Sequence, residues 1–246
     1  MMNIQLKTDQ GRVRASNQDA MLAVPFSDGA VLAAVCDGMG GANGGNVASE
    51  ICIDTLEAYL CAHYDASLPD DDALAVLAAA LTEANHAVYA RAHDDPALTG
   101  MGTTAVAALV RGERLLLANV GDSRAILFHD GVPRQLTKDH SYVQAMVDSG
   151  RLTAQEAERH PKKHLITRAI GISAHVEVDC FAERWTQNDV LLLCSDGLTN
   201  EVSYAEMAEM LSAVPYAELA DALIARANAN GGHDNSTVLL LRQDCE

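Results

Sequence analysis

The chain has 246 residues, is 49% apolar, and carries 17 basic against 34 acidic side chains for a formal net charge of −17. A chain of this length and apolarity buries roughly three quarters of its unfolded surface without covalent staples, which excludes disorder and a disulfide-dense miniprotein. Its acidity, with no run of Lys or Arg, repels phosphate backbones and excludes nucleic acid as a partner.

The opening residues, Met1 to Arg14, alternate polar with apolar and hold no apolar signal core, so the expected compartment is the cytoplasm. Apolar runs bounded by Gly, Asp and Asn predict strands over Ile4–Thr8, Ala20–Val24 and Ala30–Cys36. Ala48, Cys52, Leu56 and Tyr59 recur at helical spacing, as do Leu74, Leu77, Leu81, Ala84 and Val88. The longest apolar run, Ala73 to Leu81, falls far short of the ~18 residues of a membrane span. Strands follow over Thr103–Val110, Arg114–Val120, Arg124–His129 and Val190–Cys194, then helices near Ser203–Leu211 and over Tyr216–Ala229, then a strand over Ser236–Leu241. Elements arriving in blocks predict the α+β class, with antiparallel sheets and helices packed outside them. No linker, repeat or low-complexity tract interrupts the chain, so residues 1–246 are read as a single domain, with a monomer as the default state. Cys36, Cys52, Cys61, Cys180, Cys194 and Cys245 form no Cys-x-x-Cys pair and are expected to be buried reduced thiols.

The aspartates carry the functional signal. Asp28-Gly29 and Asp130-Gly131 have polar flanks and read as hairpin turns. Asp37-Gly38 and Asp196-Gly197 instead end buried apolar runs, with no returning strand. A carboxylate delivered to the rim of a core is costly unless a cation compensates it, and a following glycine lets a backbone carbonyl approach the same ion. Asp122, after the run ending at Val120, and Asp234, before the last strand, have related settings. Oxygen ligands with no Cys or paired His nearby suit Mg²⁺ or Mn²⁺ rather than zinc or copper.

Seven motifs then stand in order: Arg14-Ala15-Ser16-Asn17-Gln18-Asp19, Asp37-Gly38-Met39-Gly40-Gly41, Gly102-Thr103-Thr104, Gly121-Asp122-Ser123-Arg124, Leu136-Thr137-Lys138-Asp139-His140-Ser141, Ser195-Asp196-Gly197 and Asp234-Asn235. In this order and spacing the chain resembles metal-dependent protein phosphatases of type 2C in their compact bacterial form. The resemblance implies a four-layer α-β-β-α sandwich, two antiparallel sheets flanked by helix pairs, with a two-metal centre at one edge. It implies that Asp37 bridges two Mn²⁺ or Mg²⁺ ions, that Gly38 offers its carbonyl to one, that Asp196 and Asp234 hold the other, and that Asp19 binds through water. A third, weaker ion falls to Asp122 with Asp196. Arg14 is assigned to the substrate phosphate, because a guanidinium holds two of its oxygens at once. Asn235 orients water or the Asp234 loop, or makes a simple Asx turn. The segment from Ser141 to Arg159, extended to about residue 165, corresponds to a flap beside the site.

The implied activity is hydrolysis of phosphoserine and phosphothreonine by in-line attack of a hydroxide bridging the two ions. The implied partners are phosphoproteins and a cognate Ser/Thr kinase. Animal relatives carry Glu at the position of Gln18 and His at that of Met39, and many bacterial ones carry His at that of Ala42, so the general acid is unassigned. His140 and His160 are read as surface histidines, and His233 is the better candidate. A catalytically silent phosphoprotein-binding module is the alternative, against which stands the completeness of the Asp37, Gly38, Asp196 and Asp234 set. A two-metal nuclease is disfavoured by the acidity.

Overall fold

The structure, a computed structural model, describes residues 2–243 without the side chains of 41–43, so Cys245 and the side chain of Ala42 lie outside it. In chain order it runs β1 (Met2–Asp9), β2 (Asp19–Pro25), β3 (Val31–Met39), α1 (Gly41–His63), α2 (Asp70–Asp94), β4 (Gly102–Thr103), β5 (Ala105–Arg111), β6 (Arg114–Val120), β7 (Arg124–His129) and β8 (Val132–Gln135). It continues with α3 (Tyr142–Asp148), α4 (Ala154–Glu158), β9 (Asp179–Arg184), β10 (Val190–Cys194), α5 (Asp196–Glu201), α6 (Tyr204–Ala213), α7 (Tyr216–Asn230) and β11 (Ser236–Gln243).

The strands pair antiparallel in two sheets, one ordered β1-β11-β10-β7-β8 and the other β2-β3-β5-β6-β9, with β4 added to the end of β3. Side-chain alternation in β3 explains the layering. Val31, Ala33 and Val35 face the other sheet and meet Leu191, Leu193, Leu239 and Leu241, while Leu32, Ala34 and Cys36 face α1 and α2. The opposite sheet turns Leu192, Val238 and Leu240 toward α5–α7. With both faces of each sheet covered, the central strands must be apolar throughout, and each buried Leu or Val contributes on the order of 1.5–3 kcal/mol. The result is the expected α+β class and four-layer α-β-β-α order.

Helix α2 is long and apolar enough to be compared with a membrane span. Its stripe of Leu77, Leu81, Ala84 and Val88 is buried in the core instead. Asp70, Asp71 and Asp72 in its first turn and Arg91 and His93 in its last complement the helix dipole. Helix α6 begins with a capping box in which Ser203 and Glu206 satisfy each other's backbone donors.

Several boundaries differ from expectation. The run Thr103–Val110 is two strands, because Thr104 leaves the ladder to donate its N–H to the Asp37 carbonyl and to accept the Asp37 N–H on its hydroxyl. For the same reason β3 does not stop at the buried run but continues to Met39, paired with β4. Asp196 does not end a strand but opens α5, where its charge suits the helix N-terminus. Strands β8 and β9 and helices α3–α5 were unmarked by periodicity; they are short, and both strands are half-exposed sheet edges. Cys61 is exposed and Cys180 partly so, against the expectation of uniformly buried thiols, and all cysteines among the described residues are free.

Candidate active site

The sandwich brings the aspartates together at one edge. Asp19 starts β2 directly opposite Asp37 in β3. Asp122 sits in the tight link between β6 and β7, Asp196 opens α5, and Asp234 precedes β11. Asp37, Gly38, Asp122, Asp196, Asp234, Asn235 and Arg14 all line one pocket of about 680 Å³, and Asp19 stands behind it.

Glycine follows two of these aspartates because another backbone passes there. A Cβ on Gly38 would lie 2.1 Å from the Gly45 carbonyl oxygen, and one on Gly197 would lie 1.9 Å from that of Asn235. The close approach seats α1 against the end of β3 and the Asp234 loop against α5. This steric demand stands beside the expected access of a carbonyl to an ion.

Asp19 is fixed by two hydroxyls. Ser195 Oγ and Thr237 Oγ1 each donate to its Oδ2 at 2.7 Å, while its Oδ1 is buried without a hydrogen-bond partner. A buried carboxylate oxygen left bare is costly unless a cation or ordered water meets it. Burial, partly offset by those two hydroxyls, pushes the Asp19 carboxyl up to about 7, with the charges of Asp196 and Asp234 adding to the rise. Burial and then Asp196 push Asp122 up to about 8. Asp37 is raised well above the carboxylate range by burial and by Asp19, Asp196, Asp122 and Asp234. Asp196 rises through burial and Asp234, against a hydrogen bond with Asp37 and the proximity of His164. In all four acids burial is the first cause of the rise and the neighbouring carboxylates add to it.

Arg14 is the cation that faces them. Its Nη2 donates to Asp234 Oδ2 at 2.6 Å, and its side chain is 54% exposed. The Asn235 side chain bridges backbone groups of a distant loop rather than closing a local turn. Its Nδ2 donates to the Gln10 and Ser16 carbonyls and its Oδ1 accepts from the Gln18 N–H, so it clamps the loop that carries Arg14 onto Asp234.

His140 is buried rather than at the surface; its Nδ1 accepts from the Gly121 N–H at 3.0 Å and its Nε2 faces Asp179 at 3.1 Å. His160 accepts the Lys162 N–H away from the pocket. His233 lines the pocket with Nδ1 2.6 Å from Glu201 Oε1. Sequence reasoning missed Ser195 and Thr237 as partners of Asp19, His164 as a pocket residue, and Asn200, whose Nδ2 donates to Asp196 Oδ2 at 3.0 Å. The small hydroxyls beside the acidic motifs were the available signal for the first two.

The donor set suits a hard cation: carboxylates, a backbone carbonyl and a bare buried oxygen. Among the described residues no three His, Cys, Asp or Glu side chains close a metal cluster by themselves. A ring of acids around an open pocket instead fits an ion that keeps several waters, as Mg²⁺ and similar ions do.

With this geometry in view, the comparisons are specific. Residues 9–243 match the family model described as protein phosphatase 2C. A serine/threonine phosphatase, stp, of Listeria monocytogenes is 40% identical over 245 residues, covering 99% of this chain and 96% of that protein. The structure of the S. agalactiae serine/threonine phosphatase superposes with a TM-score of 0.92 at 36% identity, covering 99% of this chain and 100% of that one. The catalytic domain of serine threonine protein phosphatase PstP in complex with two manganese ions superposes with a TM-score of 0.84 at 40% identity, covering 98% of this chain and 97% of that one.

Proposed function

Since the chain belongs to the protein phosphatase 2C family and is a protein-serine/threonine phosphatase, we propose that it is a Mn²⁺- or Mg²⁺-dependent phosphoprotein phosphatase whose metals sit in the aspartate pocket. The observation that carries this reading is the gathering of Asp37, Asp122, Asp196 and Asp234 at one pocket, in front of an Asp19 oxygen that is buried and bare. Asp37 would bridge two ions, the Gly38 carbonyl would meet one, Asp196 and Asp234 would hold the other, Asp19 would act through water, and Asp122 with Asp196 would take a weaker third. When bound, two such ions lower the pKa of a water to near neutrality and neutralise charge on the phosphoryl oxygens.

The protein's own part is positioning. Ser195 and Thr237 lock Asp19, and Asn200 aims Asp196. Arg14, half exposed and paired with Asp234 at the rim of the pocket, would offer its guanidinium to two phosphoryl oxygens. Asn235 keeps the Arg14 loop in reach. The whole chain acts as one catalytic domain, and residues 141–165, with α3 and α4, serve as the flap beside the pocket. The enzyme works in the cytoplasm as a monomer and reverses a cognate Ser/Thr kinase.

Phosphate release from phosphothreonine and phosphoserine peptides, against a phosphotyrosine peptide, tests the reading; it requires the first two to be hydrolysed, and silence on both rejects it. Two variants test the roles. Arg14→Ala is expected to raise KM about tenfold or more, the scale of a lost charge-assisted hydrogen bond, with a smaller effect on kcat. A fall in kcat alone would place Arg14 in the transition state. Asp122→Ala is expected to lower turnover and raise the Mn²⁺ concentration needed for half-maximal rate, with the circular dichroism spectrum unchanged. An unchanged Mn²⁺ dependence would remove the third ion.

A further inference from the structure

Resting on the phosphatase reading, we infer that the strip formed by Arg159, Lys162 and Lys163 binds acidic side chains flanking the phosphorylated residue, so that the preferred substrate is a phosphopeptide in an acidic context. Residues 159–168 depart from the expectation that no stretch of the chain is locally basic: they hold Arg159, Lys162, Lys163 and Arg168 and no carboxylate, in a chain with twice as many acids as bases. Arg168 is consumed internally by Glu177 and Asp179. Among the described residues the other three have no carboxylate partner: Lys162 Nζ stands 5.3 Å from the Tyr142 ring centre and Lys163 Nζ donates to Asn200 Oδ1 at 3.0 Å. Exposed Glu158 precedes the strip directly, and exposed Glu156 is engaged in the capping box of α4.

The strip adjoins the aspartate pocket on the side of His164 and Ile166. His164 and Ile166 line the aspartate pocket, and Lys163 lines an adjoining pocket of about 560 Å³ that shares Asp122 and Asp196 with it. That second pocket is itself acidic, with Asp139, Glu158, Glu201 and Glu206 in its lining and Arg124 already paired with Asp139, so Lys163 is the cation on its wall without a carboxylate partner. Asn200 joins Lys163 to Asp196 directly. An extended chain rises about 3.4 Å per residue. With its phosphate among the aspartates, a peptide therefore carries its next few side chains across Lys163 and Lys162, with exposed Leu165 beside them. Three cations lacking carboxylate partners attract acidic side chains there and repel basic ones, so the strip selects by both attraction and repulsion.

The test is fluorescence anisotropy of labelled peptides bearing a non-hydrolysable phosphonate analogue of phosphothreonine, flanked by Asp/Glu, by Ala/Ser or by Lys/Arg, added to the Mn²⁺-loaded full chain. The acidic peptide is expected to bind about tenfold more tightly than the neutral one at low salt, with the ratio shrinking as salt screens the contacts. The double variant Lys162→Glu/Lys163→Glu is expected to reverse the order of acidic and basic peptides, which a merely structural role would not do. Equal affinities in the wild type, or an order unchanged in the variant, would overturn the inference. Because binding is read without turnover, its failure is distinct from failure of the phosphatase reading, which phosphate release from a neutral-flanked phosphothreonine peptide reports separately.

Discussion

Asp37→Asn is expected to cut phosphate release by more than about 100-fold, beyond the 10- to 100-fold typical of residues that merely support a metal ligand. The same change is expected to make the metal-free protein harder to unfold. Asp37 sits opposite Asp19 in the sheet and is raised by burial and by four acidic neighbours. An amide there carries no charge to desolvate or repel, while its backbone bonds with Thr104 remain available. Loss of activity with gain of metal-free stability is the signature of a residue kept for its ligand chemistry. Thermal unfolding in chelator, beside phosphate release in Mn²⁺, reads both halves. An active variant would mean that Asp37 is no ligand, and a less stable one would mean that its charge is compensated within the protein.

The second large effect is the coupling of metal, pH and stability. In the metal-free fold Asp19 holds its proton up to about pH 7 and Asp122 up to about pH 8, against an ordinary value of 3.8. Between these limits the folded state binds more protons than the unfolded one, so the metal-free protein loses stability as pH rises from about 4 to 8. Mn²⁺ at about 100 times its dissociation constant adds about 2.7 kcal/mol. For a chain of this size that corresponds to a rise of about 5 to 10 °C in Tm. The rise is expected to be larger at pH 8 than at pH 5, where protons already occupy the carboxylates and compete with the ion. A shift independent of pH would place the metal elsewhere.

The parts of the fold legible in the sequence were those with long, strict patterns. The runs Arg114–Val120 and Arg124–His129 and the stripe through Leu77, Leu81, Ala84 and Val88 are buried on defined faces, and burial writes its period into the residues. Strands β8 and β9 lie at sheet edges, and α3–α5 have five to seven residues each, too short for a period to show. Asp37 and Asp196 were legible for a different reason, each following a buried apolar run and preceding a glycine, although Asp196 also has a structural place at the start of α5. The partners of Asp19 were not. Ser195 and Thr237 reach Asp19 only through the register that sets β10 beside β11 and the two sheets face to face. His140 sits in a motif but is spent on the Gly121 backbone, which spacing alone does not reveal.

The central claim is that the aspartate pocket is a metal-dependent phosphatase site. Its most direct test is phosphate release from a phosphothreonine peptide by chelator-stripped protein titrated with Mn²⁺, beside an Asp196→Asn variant. The account predicts no release without metal, release restored by Mn²⁺ in the wild type, and little or none in the variant at the same Mn²⁺ concentration. Full release from the stripped protein, or a variant that responds to Mn²⁺ as the wild type does, would contradict it.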